Sequence, residues 1–323
     1  MTAPTVDPQP EEQVALEVDD LQVRFGGVRA VDGVQLRVGT DETVGLIGTN
    51  GAGKTTLMDC VSGYCLPTGG TIRLFGQDVS RTAPELRPYL GLGRSFQDAR
   101  LFPGMTVTET LLVAVERHAP TGLLAGLLGL GARPERAKRQ AVAELVEMTG
   151  LTRYADTRTG ELSTGTRRVV DLTCILAQRP RLLLLDEPTA GVAQRETEAF
   201  GPLLRRIKEQ LGCAVLIIEH DMPLISHLSD RIYAMESGRV IAHGSPDEVK
   251  RNPRVVASYL GTTEEAINRS NQPAPSPSAG QARDLAVLSR SELLELAADA
   301  GVPGRSRLSK RELVQRLSPA QAR

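Results

Sequence analysis

Three absences narrow the reading of this 323-residue sequence before any motif is considered. An excess of charge of one sign is missing. Acidic and basic residues nearly cancel to a net charge of −1, so no global field argues for nucleic acid or an anionic membrane as partner. Long hydrophobic runs are missing too. A bilayer-spanning helix needs about 20 consecutive apolar residues, and the nearest approach, "GLLAGLLGLGA" at 122–132, is short and rich in glycine. That run reads as an apolar insertion packed on a helical region. Metal-ligand spacing is the third absence. Cys60, Cys65, Cys174 and Cys213 form no CxxC pair and sit in apolar segments, which predicts buried reduced thiols. His118, His220, His227 and His243 are scattered. The opening "MTAPTVDPQPEEQ" lacks the basic and apolar regions of a secretory signal, so the chain is expected to be cytosolic.

What is present is an alternation of strand and helix patterns. "VALEVDDLQVRF", "VQLRVG", "TVGLIG" and "TIRLFGQDV" read as strands, with one helix before the last. "TVTETLLVAVERH" and "PERAKRQAVAELVEMTG" repeat apolar residues at three and four and predict helices. "RLLLLDEP" and "AVLIIEHD" are short all-apolar runs of the kind found in parallel strands buried on both faces. "RIYAMESGRVIAHG" predicts a hairpin about Ser237-Gly238. The sum is an α/β domain interrupted by a helical insertion.

Chemistry enters with "GTNGAGKTT", Gly48, Thr49, Asn50, Gly51, Ala52, Gly53, Lys54, Thr55 and Thr56. The G-x-x-x-x-G-K-[ST] spacing, between a strand and a helix, builds a phosphate cradle. Its glycines let successive N–H groups turn toward phosphate oxygens, and Lys54 brings a cation to the β- and γ-phosphates. The Thr55 hydroxyl is a ligand for Mg²⁺, and the helix that follows presents its positive end. Downstream, Asp186 at the end of "LLLLDEP" is positioned to hold Mg²⁺ through water. Glu187 beside it can orient or deprotonate the attacking water.

In this order the segments resemble the ATP-binding cassettes of ABC transporters, over about residues 14–260. The resemblance implies a phosphate-loop fold with a RecA-like core, an antiparallel β subdomain and a helical subdomain at about 98–178. It implies ATP and Mg²⁺ as ligands. Phe25 in "VRFGGVRAV" resembles the aromatic that stacks on adenine. Gln97 in "GRSFQDARLFPGMTVTE" resembles the glutamine that contacts metal and water, and His220 in "LIIEHDM" the switch histidine at the γ-phosphate.

The family's signature L-S-G-G-Q falls on Leu162, Ser163, Thr164, Gly165 and Thr166. Ser163 keeps the hydroxyl and Gly165 the position without a side chain that lets a phosphate of the facing subunit come close. Thr164 and Thr166 depart from the pattern, as does Ala193 in the following loop. They put communication between subunits in doubt, and a functional but slower or asymmetric ATPase is expected.

"IIEHDMPLISHLSDRIYAMESGRVIAHGSPDEV" and "NPRVVASYLG" are most similar to cassettes of importers for branched-chain amino acids or related amides and urea. The implied partners are a second cassette (a second copy or a sister subunit), transmembrane permease subunits and, indirectly, an extracytoplasmic solute-binding protein. The cassette would then lie at the inner face of the membrane.

The expected organisation is a disordered lead-in at 1–12, the ATP-binding domain at 13–262 and a Pro/Ser-rich linker at 263–283. A helical module at 284–318 and a tail at 319–323 follow. The module resembles the N-terminal domain of the Rho terminator and SAP-type modules, and Ser289/Glu292 and Ser309/Glu312 have capping-box spacing. Six basic residues stand against one acidic in 305–323, yet no aromatic accompanies them for base stacking, so nucleic acid is the lesser reading of the tail. The rivals to an importer ATPase are a non-transport ATPase with a nucleic-acid-associated tail and a regulatory cassette with weak turnover.

Overall fold

The computed structural model describes residues 14–96, 101–116, 132–192, 194–258 and, near the end, 309, 310 and 312. The lead-in at 1–12, Gln97, residues 122–131 of the apolar run, Ala193, the linker at 263–283, the tail at 319–323 and nearly all of the 284–318 module lie outside the described residues. The chain divides into two compact units, Met1–Glu264 and Glu265–Arg323. From the second, the Ser309–Glu312 capping box is described: the Ser309 main-chain N–H donates to Glu312 Oε2 at 2.7 Å.

Two sheets carry the first unit. The antiparallel sheet has the order β2-β1-β4-β5, built from β1 (Val14–Phe25), β2 (Val28–Gly39), β4 (Gly69–Leu74) and β5 (Gln77–Asp78). β2 begins six residues before the apolar alternation of "VQLRVG". Bulges between Val18 and Gln22 absorb the polar stretch, with Asp20 and Gly33 at positive φ. "TIRLFGQDV" is a hairpin rather than one strand. Phe75 and Gly76 take φ of 49° and 79° and turn the chain from β4 into β5.

The second sheet has the order β10-β9-β3-β8-β7-β6. At its centre β3 (Thr43–Gly48), β7 (Leu182–Asp186) and β8 (Ala214–Ile218) run parallel, and every residue in these three strands is buried. The all-apolar runs thus became strands covered on both faces. Each buried Leu or Ile contributes about 1.5–3 kcal/mol of transfer free energy. β6 (Leu92–Arg94) pairs parallel to β7 at one edge, and β9 (Arg231–Glu236) with β10 (Arg239–Gly244) forms the hairpin at the other. Ser237 and Gly238 both adopt positive φ there, as a two-residue hairpin turn requires.

The helices are α1 (Lys54–Ser62), α2 (Val107–Val115), α3 (Ala132–Met148), α4 (Thr164–Leu176), α5 (Gln194–Leu211), α6 (Met222–Leu228) and α7 (Pro246–Arg251). A separate apolar cluster of Val107, Leu111, Val142, Val146 and Val170 joins α2, α3 and α4 into the helical region. The expectation for the thiols needs correction: Cys60 and Cys213 are buried, but Cys65 and Cys174 are only partly so. Both lie at the margin of an apolar cluster, where one face of the side chain still meets solvent.

Candidate active site

The phosphate loop leaves the buried end of β3 and enters α1 through Gly53, whose φ is 99°. A Cβ on Gly53 would stand 2.3 Å from the Ala30 carbonyl oxygen, so both dihedral and space require glycine. No side chain caps the head of α1. Its first N–H groups are therefore available to an anion, as at helix starts that bind phosphate. Lys54 is buried, and its Nζ donates to the carbonyl oxygens of Gly48 at 2.7 Å and Thr49 at 3.1 Å. Burial lowers its pKa, and the charges of Glu187 and Asp186 oppose that shift. Thr55 and Asn50 are exposed, while Thr49 and Thr56 are half-buried.

Asp186 ends β7 and is 3% exposed. Burial raises its pKa, and the Arg94 guanidinium at 3.7 Å works the other way. Its Oδ1 is buried without any hydrogen-bond partner. Such an oxygen is costly unless a donor or cation meets it. Together with the Thr55 hydroxyl at the head of α1 it would supply oxygen donors of the kind that suit a hard divalent cation keeping several of its waters. These residues fit Mg²⁺.

Glu187 takes φ of 48°, an unfavourable conformation for a residue with a side chain. Three hydrogen bonds to its main chain hold it there. Its N–H donates to the Ile218 carbonyl at 3.0 Å, and its own carbonyl accepts from Arg168 at 2.8 Å and from the Ala190 N–H at 3.1 Å. The kink turns the carboxylate off the strand end and against His220, with Nε2 to Oε1 at 2.7 Å.

Glu219 secures the other side and escaped notice in the sequence. It is 4% exposed. Its Oε1 accepts from the N–H and hydroxyl of Thr189 at 3.0 and 2.6 Å, and its Oε2 from the His220 N–H at 3.2 Å. An ionisable residue closing an apolar strand beside a histidine is the signal that could have found it. Arg94 and Arg168 also had no local signature, because their partners are distant in sequence.

Lys54, Asp186, Glu187 and His220 are thus gathered at the carboxyl ends of the parallel strands. Phe25, 56% exposed at the end of β1, stands free to meet a flat ligand. Ser163 and Gly165 belong elsewhere. Ser163 caps α4 by accepting from the Thr166 N–H at 3.1 Å and donates to Glu196 Oε1 at 3.0 Å. Among the described residues, neither is hydrogen-bonded to the phosphate loop.

Glycine cradle, lysine and paired carboxylates on a parallel sheet define a phosphate-loop nucleotide hydrolase. Comparison with known proteins narrows the class. The ABC transporter family profile matches residues 31–190, and that of the branched-chain amino acid ATP-binding cassette transporter matches residues 239–265. The chain is 41% identical over 248 residues to the high-affinity branched-chain amino acid transport ATP-binding protein BraF of Pseudomonas aeruginosa. That alignment covers 76% of this chain and 97% of the relative. Against LivG of Escherichia coli, a protein of the same description, identity is 39% over 252 residues, covering 77% and 98%. A crystal structure of an ABC transporter's ATP-binding cassette in its ADP conformation superposes with a TM-score of 0.65 at 27% identity, covering 77% and 99%. The chain belongs to the ATP-binding subunits of ABC transporters, and its activity is ATP hydrolysis coupled to transport.

Proposed function

We propose that the chain powers an importer of branched-chain amino acids, or of closely related amides, from the inner face of the cell membrane. Two cassettes, this chain and a second copy or a sister, would enclose ATP head to tail while permease subunits above them switch access. An extracytoplasmic binding protein would deliver the solute. The similarity to BraF and LivG supports the solute class and favours transport over a non-transport ATPase with a nucleic-acid-reading tail.

The observation that carries the catalytic reading is the Glu187–His220 contact beside Lys54 and the unpartnered Asp186 oxygen. In this reading Phe25 stacks on adenine, and the 48–56 loop with Lys54 holds the phosphates. Asp186 and Thr55, with Gln97, hold Mg²⁺. When bound, the ion neutralises charge on the β- and γ-phosphates. Glu187 orients the attacking water and accepts its proton, while His220 keeps the carboxylate aimed and reaches the γ-phosphate. Ser163 and Gly165 serve the ATP held by the facing cassette, which agrees with their separation from the chain's own loop.

A surface beside this site suits the permease. Tyr64 and Phe96 are 61% and 42% exposed, and their rings meet edge to face at 5.5 Å. Arg94 lies over both rings and also faces Asp186, so pressure on the aromatic pair reaches the metal-side carboxylate through one residue. Co-purification from membranes tests the transport reading. A permease carried along with the chain, and ATPase activity raised by the solute-loaded binding protein, are expected. Recovery without any multi-span partner would overturn it.

A further inference from the structure

The head of α4 is already occupied by an anion of its own chain. Glu196, in the first turn of α5, aims its carboxylate away from α5 and onto the signature segment. Its Oε1 accepts the Ser163 hydroxyl at 3.0 Å. Its Oε2 lies over Gly165, so close that a Cβ there would stand 2.2 Å away. Among the described residues no cation pairs with this carboxylate, and its one polar partner is Ser163. What holds it is a hydroxyl and the positive end of α4, the same features that recommend the segment for a phosphate.

We propose that Glu196 is a further functional residue of the signature half-site. In the single chain it holds the hydroxyl that the facing subunit's γ-phosphate must take, and its departure sets how readily the ATP-loaded pair closes. The proposal rests on the two-cassette reading above. A carboxylate and a γ-phosphate cannot share Ser163 and the position over Gly165, because like charges at contact repel and the hydroxyl has one proton to donate. Closure therefore swings Glu196 aside. Until then the anion discourages pairing around an incompletely charged ligand such as a diphosphate, which lacks the γ-phosphate that would displace it.

The test uses the full chain carrying Glu187→Gln, in which slowed hydrolysis preserves the closed pair. ATP-dependent dimerisation is followed by light scattering, with and without Glu196→Ala or Glu196→Gln. Removing a charge-assisted contact at a helix head corresponds to roughly a tenfold change in an equilibrium constant. The protein concentration for half-dimerisation should thus fall about that much with Glu196→Ala. Glu196→Gln keeps an acceptor for Ser163 but loses the charge, and should fall in between. ATP affinity at the Lys54 loop and melting temperature, measured alongside, separate closure from loading and from misfolding. Dimerisation in Glu187→Gln that neither Glu196 change strengthens overturns the role of Glu196 and leaves the two-cassette reading standing. Dimerisation only in the double variants supports the block directly. No dimer in any of them removes both.

Discussion

The two halves of the proposed phosphate site are built by opposite means. The half at Lys54 is rigid and waits for a ligand. It stands on strands buried along their whole length, Gly53 admits no Cβ, Glu187 is clamped at positive φ, and one Asp186 oxygen has no partner. The half at Ser163 sits on a helix head, with that serine exposed and Gly165 buried, and is satisfied by its own chain through Thr166 and Glu196. A site lined with unmet polar groups binds its ligand unaided. A site that has already met its own needs acts only when something better displaces what it holds. The contrast gives physical form to the proposed division of labour, in which each chain would load ATP alone and require a second cassette to finish the reaction.

The hardest way to break the contrast is to fill the rigid half. Gly53→Val asks for a side chain where 2.3 Å separates a Cβ from the Ala30 oxygen, at a φ of 99°. ATP binding by isothermal titration should vanish, with the melting temperature lowered as well. Lys54→Ala leaves the backbone intact and removes the buried cation, so binding should fall by about 10²-fold or more, in the range seen for groups that stabilise phosphoryl charge. Retained micromolar binding in both would mean the cradle is elsewhere.

Next in size is Glu187→Gln. General-base catalysis contributes about 10²–10⁴-fold, so steady-state hydrolysis should drop by that factor while ATP binding stays close to the parent's. Hydrolysis at the parent rate would remove the carboxylate from the mechanism. His220→Ala should cost less, about 10-fold to 10²-fold in kcat with KM for ATP little changed, because it aims a group that remains present. An equal loss in kcat/KM from raised KM alone would make His220 a binding residue instead.

How much of this was visible beforehand depends on the range of the interaction. The buried strands β7 and β8 and the turn at Ser237-Gly238 were legible because apolar runs and turn chemistry are local. The residues gathered around Lys54 were legible because a phosphate cradle must be contiguous, and because the strand ends that bring Asp186 and His220 to it close equally apolar runs. The bulges of β1 and the Phe75-Gly76 turn were hidden, since both depend on register with a neighbouring strand. So were Glu196, Glu219, Arg94 and Arg168. Glu196 reaches Ser163 across 33 residues and Glu219 reaches Thr189 across 30, separations at which no spacing rule operates.

The smallest effect sharpens the contrast at the helix that carries the signature. Asp171 lies on α4, eight residues after Ser163, and burial pushes its pKa up to about 6 against the pull of Arg168. The unfolded chain releases this proton near the ordinary aspartate range, while the folded chain holds it until about pH 6. Through that window the folded state binds more protons than the unfolded one, so stability falls as pH rises, and the loss is complete above it. Asp171→Asn keeps the shape and removes the charge. It should therefore stabilise the protein at pH 7.5 by about 1–3 kcal/mol and leave it nearly unchanged at pH 4, read as melting temperature across pH. A gain of equal size at both pH values would mean that packing, not ionisation, separates the two side chains. A gain confined to neutral pH would show that the signature helix is held in place at an electrostatic cost that the buried strands under Lys54, apolar up to Asp186, carry at only one residue.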